Sequence, residues 1–215
     1  TDGVVTATLA ADSLSNLGDL TTAGTDVITI TVNDGATDDV TAANLSTLGG
    51  KTAGVVTVSN AVDISGTASE LTAALVTADT LVVAETATAN ITDNEGTDID
   101  ATVLSAIGAK TSGAITVTNA IDIAGTADEV TAALVTDDTL VVASSATVTI
   151  SDNPSISALN AIAAKTDGVV TATLAADSLS NLGALTTAGT DVITITVNDG
   201  CLLYTSDAAD DRMRV

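Results

Sequence analysis

The sequence predicts a β-rich repeat solenoid, with parallel strands and a short helix or helical turn in each coil of about 26 residues. Three observations predict it. Internal repeats run through residues 1–200, the signature of architectures in which each unit buries its apolar face only against its neighbours. A five-residue strand core recurs eight times. A helix-start signal follows many of these cores.

The repeats come first. Residues 1–35 recur at 166–200 with one difference, Asp19 against Ala184. Weaker copies begin at Lys51 ("KTAGVVTVSNAVDISGTASEL"), Lys110 ("KTSGAITVTNAIDIAGTADEV") and Lys165 ("KTDGVVTATLAADSL").

The strand cores are Val4–Thr8, Val27–Thr31, Val55–Ser59, Leu81–Glu85, Ala114–Thr118, Leu140–Ser144, Val169–Thr173 and Val192–Thr196. Their second position is always Val or Ile, their fourth always apolar, and their fifth always polar. Alternation of period two places one face inward and one outward. Val and Thr suit such a half-buried pleated surface. Aligned in one column, the cores place Val82 and Val141 inside, flanked by Val56 and Ile115, with Glu85 and Ser144 outside.

The helical signals are "TASELTAALV" and "TADEVTAALV". Each opens with a capping box, Thr67 with Glu70 and Thr126 with Glu129, in which side chains satisfy the first free backbone amides. Leu71 and Leu75, and Val130 and Leu134, share a helical face. Gly18, Gly49 and Gly108 read as helix stops. Second strands are expected at 61–65, 87–93, 120–124 and 146–152, and turns at "NDG", "TDNEGTD" and "SDNP". True helices stack 8–10 Å apart against about 4.8 Å for strands, so the helical segments should be short and the rod gently curved. Tandem β-sandwiches of about 110 residues are disfavoured, because the turns open onto helix caps rather than regular hairpins.

The chain changes character at Cys201. The only Cys, Tyr, Met and Arg residues (Cys201, Tyr204, Met213, Arg212, Arg214) lie in 201–215. "CLLYTSDAAD" resembles the in-frame translation of a transposon-type sequencing adapter, so 201–215 are read as a non-native tail. Residues 1–200 are read as an array of about eight coils from a longer reading frame. They hold 25 acids, three Lys and no Cys, His, Arg or aromatic residue. That composition excludes Cys/His metal sites, disulfides, and His- or Cys-based catalysis. Three Lys cannot supply a nucleic-acid interface. No apolar run reaches the roughly 20 residues of a membrane span.

The segments "ALNAIAAKTDGVVTATLAADSLSNLGALT" and "TVTISDN" resemble the tandem-repeat arrays of giant bacterial secreted and cell-surface proteins. The resemblance implies an extracellular, adhesin-like stalk whose partners are neighbouring repeats and other surface or matrix components. The glycine-rich nonapeptide of calcium-binding secreted repeats is absent, so calcium-driven folding of that type is not carried over.

Function is therefore expected to be structural: a spacer in an exported surface or matrix protein, with no catalytic, cofactor or metal residue assigned. Calcium at the turns is the alternative, through Asp93, Glu95, Asp98 and Asp100, or Asp34, Asp38 and Asp39. Their spacing fits no EF-hand loop, and turns favour Asp, Asn and Gly for backbone reasons. Ice binding would use the pairs Thr6/Thr8, Thr29/Thr31, Thr116/Thr118, Thr171/Thr173 and Thr194/Thr196. Val83/Glu85 and Val142/Ser144 interrupt that ladder. The carboxylate pairs Asp38/Asp39 and Asp137/Asp138 have no basic or aromatic neighbour to hold a glycan, which disfavours an enzyme.

Overall fold

The computed structural model describes residues 3–136 and 140–199; the tail and the Asp137/Asp138 pair lie outside them. The chain is α/β. In order it forms β1 (Thr6–Thr8), α1 (Leu14–Leu17), β2 (Val27–Val32), β3 (Val40–Thr41) and α2 (Ala42–Gly49). Next come β4 (Val56–Val58), β5 (Asp63–Gly66) and α3 (Ala68–Leu71), which runs on into a π-helical turn, Thr72–Val76. Then follow β6 (Val82–Val83), β7 (Thr88–Ile91), β8 (Asp98–Asp100) and α4 (Ala101–Gly108). After them are β9 (Ile115–Val117), β10 (Asp122–Gly125), α5 (Ala127–Leu134), β11 (Val141–Val142), β12 (Thr147–Ile150) and α6 (Ile156–Ala163). The last are β13 (Val170–Thr173), α7 (Leu179–Leu182) and β14 (Val192–Thr194).

Among the described residues these strands make three sheets, in the orders β1-β2-β4-β6, β3-β5-β7-β9-β11 and β8-β10-β12-β13-β14. Every pairing is parallel. Partners are separated by one circuit of chain, 21 residues for Ala7–Ile28 and 26 for Val56–Val82. A parallel connection of that length has room for a crossover helix, and helices occupy that place.

In the interior cores the alternation read from the sequence is the alternation of burial, whereas the inward positions Val5, Ala7 and Ile195 of the first and last cores are exposed. Val56, Val82, Ile115, Val141 and Val170 are buried, while Glu85 and Ser144 are exposed. The expected partners also meet: Val56 pairs Val82, and Ile115 pairs Val141. Ile64, Leu71, Ile91, Leu104, Ile123 and Leu159 complete a core with no aromatic side chain. Both capping boxes form. The Thr67 hydroxyl accepts from the Glu70 amide, and Glu70 accepts from the Thr67 amide at 2.8 Å. Thr126 and Glu129 do the same.

The eight cores do not form a single column. β9 pairs with β7 rather than β6, and β13 pairs with β12 rather than β11. The first change coincides with an extra strand. Asp98–Asp100, part of a segment expected to be a turn, is β8, and its register is Asp98 to Asp122 and Ile99 to Ile123. Acids flank its single inward apolar residue, Ile99, so the alternation is too short to read from sequence. With three strands on one circuit, the chain enters its next helix one sheet later.

The helices stop at the expected glycines: Gly18 caps α1 in a right-handed conformation (φ −59°), and Gly49 and Gly108 are the last residues of α2 and α4. Gly49 is required by packing, since a Cβ there would lie 2.5 Å from the Thr80 carbonyl oxygen. Among the described residues the left-handed positions are Leu81 (φ 48°), Leu140 (φ 49°) and Gly96 (φ 73°). A left-handed non-glycine residue costs roughly 1–2 kcal/mol. Here it aims the carbonyl at the neighbouring strand: the Val56 amide donates to Leu81 at 3.1 Å, and the Ile115 amide to Leu140 at 3.0 Å.

Burying a carboxylate at Val141 should be far worse than adding one at Ser144. Val141→Asp is expected to cost several kcal/mol through an unpaired buried charge, and Ser144→Asp under about 1 kcal/mol. Chemical denaturation compares them directly. Equal losses would show that the strand register is wrong.

Candidate functional site

The polar side chains that could carry chemistry are concentrated at the corners between elements. Three corners share the pattern Lys-Thr-x-Gly, at 51–54, 110–113 and 165–168. The Thr52 hydroxyl accepts from the Ile28 and Gly54 amides, both at 2.8 Å, and faces the Ile28 carbonyl at 2.8 Å. Thr111 donates to the Ala87 carbonyl and accepts from the Gly113 amide at 3.1 Å. Thr166 donates to the Ala146 carbonyl and accepts from the Gly168 amide at 3.0 Å. Each threonine thus ties its corner to the backbone of the preceding circuit.

The glycine two residues on permits the contact. A Cβ at Gly54, Gly113 or Gly168 would lie 2.3, 2.2 or 2.2 Å from the same carbonyl oxygen of Ile28, Ala87 or Ala146. These corners account for the shifted pairing. Lys110–Gly113 docks at Ala87, just before β7, and Lys165–Gly168 docks at Ala146, just before β12. The motif is visible in the sequence as the marker of each repeat, but its bonding partners lie 20 to 24 residues away and are not. Lys51 is engaged at the same corner, donating to the Gly18 carbonyl at the end of α1.

Two of the acids considered as calcium ligands, Asp34 and Asp93, bond to helix starts, and two further acids, Asp152 and Asp199, do the same. Asp34 accepts from the Leu14 amide at 2.6 Å, Asp93 from Ala68 at 2.6 Å, Asp152 from Ala127 at 2.8 Å, and Asp199 from Leu179 at 3.0 Å. Each of these amides is the first of a helix (α1, α3, α5 and α7), and each acid comes from the following circuit. Negative charge at a helix N-terminus is favourable, and a charge-assisted bond is stronger than a neutral one. Asn119 adds a bond from its side chain to the Asp93 carbonyl at 2.7 Å. Asp38 accepts from the Gly35 amide at 2.6 Å. Asp39 and Glu95 are exposed, and Asp98 and Asp100 lie in β8. Among the described residues no group of three or more acids converges as a metal site.

An open cleft of about 450 Å³ lies beside β8 and α3 and is lined by Ala68, Thr72, Asp93, Thr97, Asp98 and Asp100. The Thr72 hydroxyl oxygen is buried and without a hydrogen-bond partner among the described residues. The cleft contains carboxylates and hydroxyls but no basic or aromatic side chain. The threonine pairs make no continuous ladder either: Thr6 pairs Val27, Thr57 pairs Val83, and Thr171 pairs Val192. No helix among the described residues is long and apolar enough to cross a membrane.

No family model matches the sequence, and neither a curated protein nor a solved structure is similar to the chain.

Removing a capping acid should expose its role. Asp152→Ala is expected to cost about 1 kcal/mol, in the range of lost helix caps, while the exposed Asp39→Ala stays within about 0.5 kcal/mol. Equal effects in urea denaturation would count against cross-circuit capping. Calcium and magnesium at matched ionic strength should raise the melting temperature equally, by screening carboxylates. A rise specific to calcium would restore the metal reading.

Asp12 provides a pH test. The Asn16 side chain and then the Ser13 amide, both at 2.8 Å, hold its carboxyl below the ordinary value of 3.8. A depressed folded-state value means stability that is fully present above the unfolded value and lost as pH falls through the folded one. Asn16→Ala should move the Asp12 titration midpoint upward, as followed by carboxyl-carbon NMR.

Proposed function

We propose that residues 1–200 are a β-rich repeat solenoid serving as a non-catalytic spacer in an exported bacterial surface or extracellular-matrix protein. One observation carries this reading. The polar residues that recur are committed to joining one circuit to the next: Thr52, Thr111 and Thr166 at the corners, and Asp34, Asp93, Asp152 and Asp199 on helix amides. A repeated polar residue whose bonds join neighbouring circuits serves length. An active site is needed once. The near-identity of 1–35 and 166–200 supports the same reading, since duplication adds length without a new fold. Residues 201–215 contribute nothing in this proposal.

Length is the quantity to measure. Inserting a second copy of residues 51–109 adds two circuits in this proposal, and parallel strands lie about 4.8 Å apart. Small-angle scattering should show the particle lengthen by about 10 Å at constant cross-section. Growth in cross-section, or turnover on any glycan in an activity screen, would overturn the proposal.

A further inference from the structure

We propose that the cleft between β8 and α3 is a docking site for a basic, extended segment of another protein, which adds a strand to the free edge of β8. Among the described residues β8 ends its sheet: it pairs with β10 on one side and with no strand on the other. The Asp122 amide donates to the Thr97 carbonyl at 2.9 Å. Backbone groups alternate in direction along a strand, so the Asp98 amide and carbonyl point away from β10. The cleft of about 450 Å³ is lined by β8 on one wall and by Ala68, Ser69 and Thr72 on the other, with no residue of β10, so it lies on that free side. An unpaired edge is a template for strand addition, and strand addition is a recurrent mode of peptide capture.

Polar groups at this cleft lack the partners that their counterparts have. Asp63 and Asp122 open β5 and β10, and each accepts from a threonine of the adjoining strand, Thr88 at 2.9 Å and Thr147. Asp98 opens β8 in the same way, but the residue beside it in register is a second carboxylate, Asp122. Like charges side by side on neighbouring strands repel. Asp100 is the N-cap residue of α4, yet its side chain caps no amide. Every other α-helix among the described residues is capped by its N-cap Ser or Thr. The Thr72 hydroxyl oxygen is buried without a partner on the opposite wall.

Charge decides the occupant. Asp93, Asp98 and Asp100 line the cleft, and no basic side chain does. A second copy of this chain, of net charge −23, brings the wrong sign. A segment carrying Lys or Arg brings the right one and supplies the missing counter-charge. The strand pattern fixes the spacing. Asp98 and Asp100 are exposed on one face, and Ile99 between them is buried. An added strand in step with β8 places alternate side chains beside Asp98 and Asp100, and the side chain between them beside Ile99. The segment therefore reads basic, apolar, basic.

The test titrates the full chain with the end-capped peptide Lys-Val-Lys-Val-Lys and follows its backbone amides by NMR. Saturable shifts around β8 are expected, with a Kd below about 1 mM, together with slowed exchange of the Asp98 amide. Binding should weaken as salt rises from about 0.1 M to about 0.5 M. Lys-Pro-Lys-Pro-Lys keeps the charge but loses amide donors, and spermidine has charge without a backbone, so neither should slow exchange at Asp98. Asp98→Asn and Asp100→Asn should each weaken binding by about fivefold, the upper range for an exposed ion pair, with the melting temperature held because neither side chain caps or bonds within the chain. Asp39→Asn removes the same charge from an exposed position elsewhere and should leave binding unchanged. Absence of saturable binding overturns the proposal. So does equal protection of Asp98 by the proline peptide or spermidine, or an equal loss in Asp39→Asn, since each would mean attraction by charge alone. The exchange measurement on the unaltered chain does not depend on any variant folding.

Discussion

Paired parallel strands lie about 4.8 Å apart, and the rest of the structure has to fit within that distance. Helices prefer roughly twice the separation. The conflict is eased by small residues where helix stacks on strand. Ala42 and Ala101 open α2 and α4, and opposite them stand Gly66 and Gly125, where an added Cβ would come within 2.9 and 3.1 Å of the alanine methyls. The helices are only four to eight residues long. The same constraint places glycine after each corner threonine. It also explains a core built from Val, Ile, Leu and Ala, since β-branched side chains pack well at ladder spacing.

Polar chemistry follows from the same spacing. A corner pressed against the preceding circuit has amides and carbonyls that water reaches poorly, and unsatisfied groups there are costly. The threonine hydroxyl is suited to the position because it both donates and accepts, and Thr52 does both within one corner. The acids answer the matching need at helix starts. A chain of net charge −23 would otherwise gain little from its carboxylates. Placed on helix amides, they interact with partial positive charge and require no lysine.

Much of the local structure was legible in the sequence. Period-two alternation identified Val56, Val82, Ile115 and Val141 as core, and Thr67/Glu70 and Thr126/Glu129 marked helix starts because a capping box is made of neighbours in sequence. The acids at the turns were legible only as turn formers. Asp93 reaches a helix 25 residues earlier, and no spacing rule pairs it with Ala68. β8 was missed because Ile99 is its only inward apolar residue and Asp98 and Asp100 suit turns better than strands.

The sequence by itself determined that Val56, Val82, Ile115 and Val141 face inward and that helices begin after Thr67 and Thr126, because alternation and capping are written in short-range order. Only the tertiary structure decided which strand follows which. The choice of β7 over β6 for β9, and of β12 over β11 for β13, rests on where a threonine–glycine corner meets a carbonyl of the preceding circuit. The cores at Leu81 and Thr88 both offer alternating apolar strands, and alternation alone cannot rank them. The close approach of Gly113 to Ala87 and of Gly168 to Ala146 can, because contact at that distance admits one register.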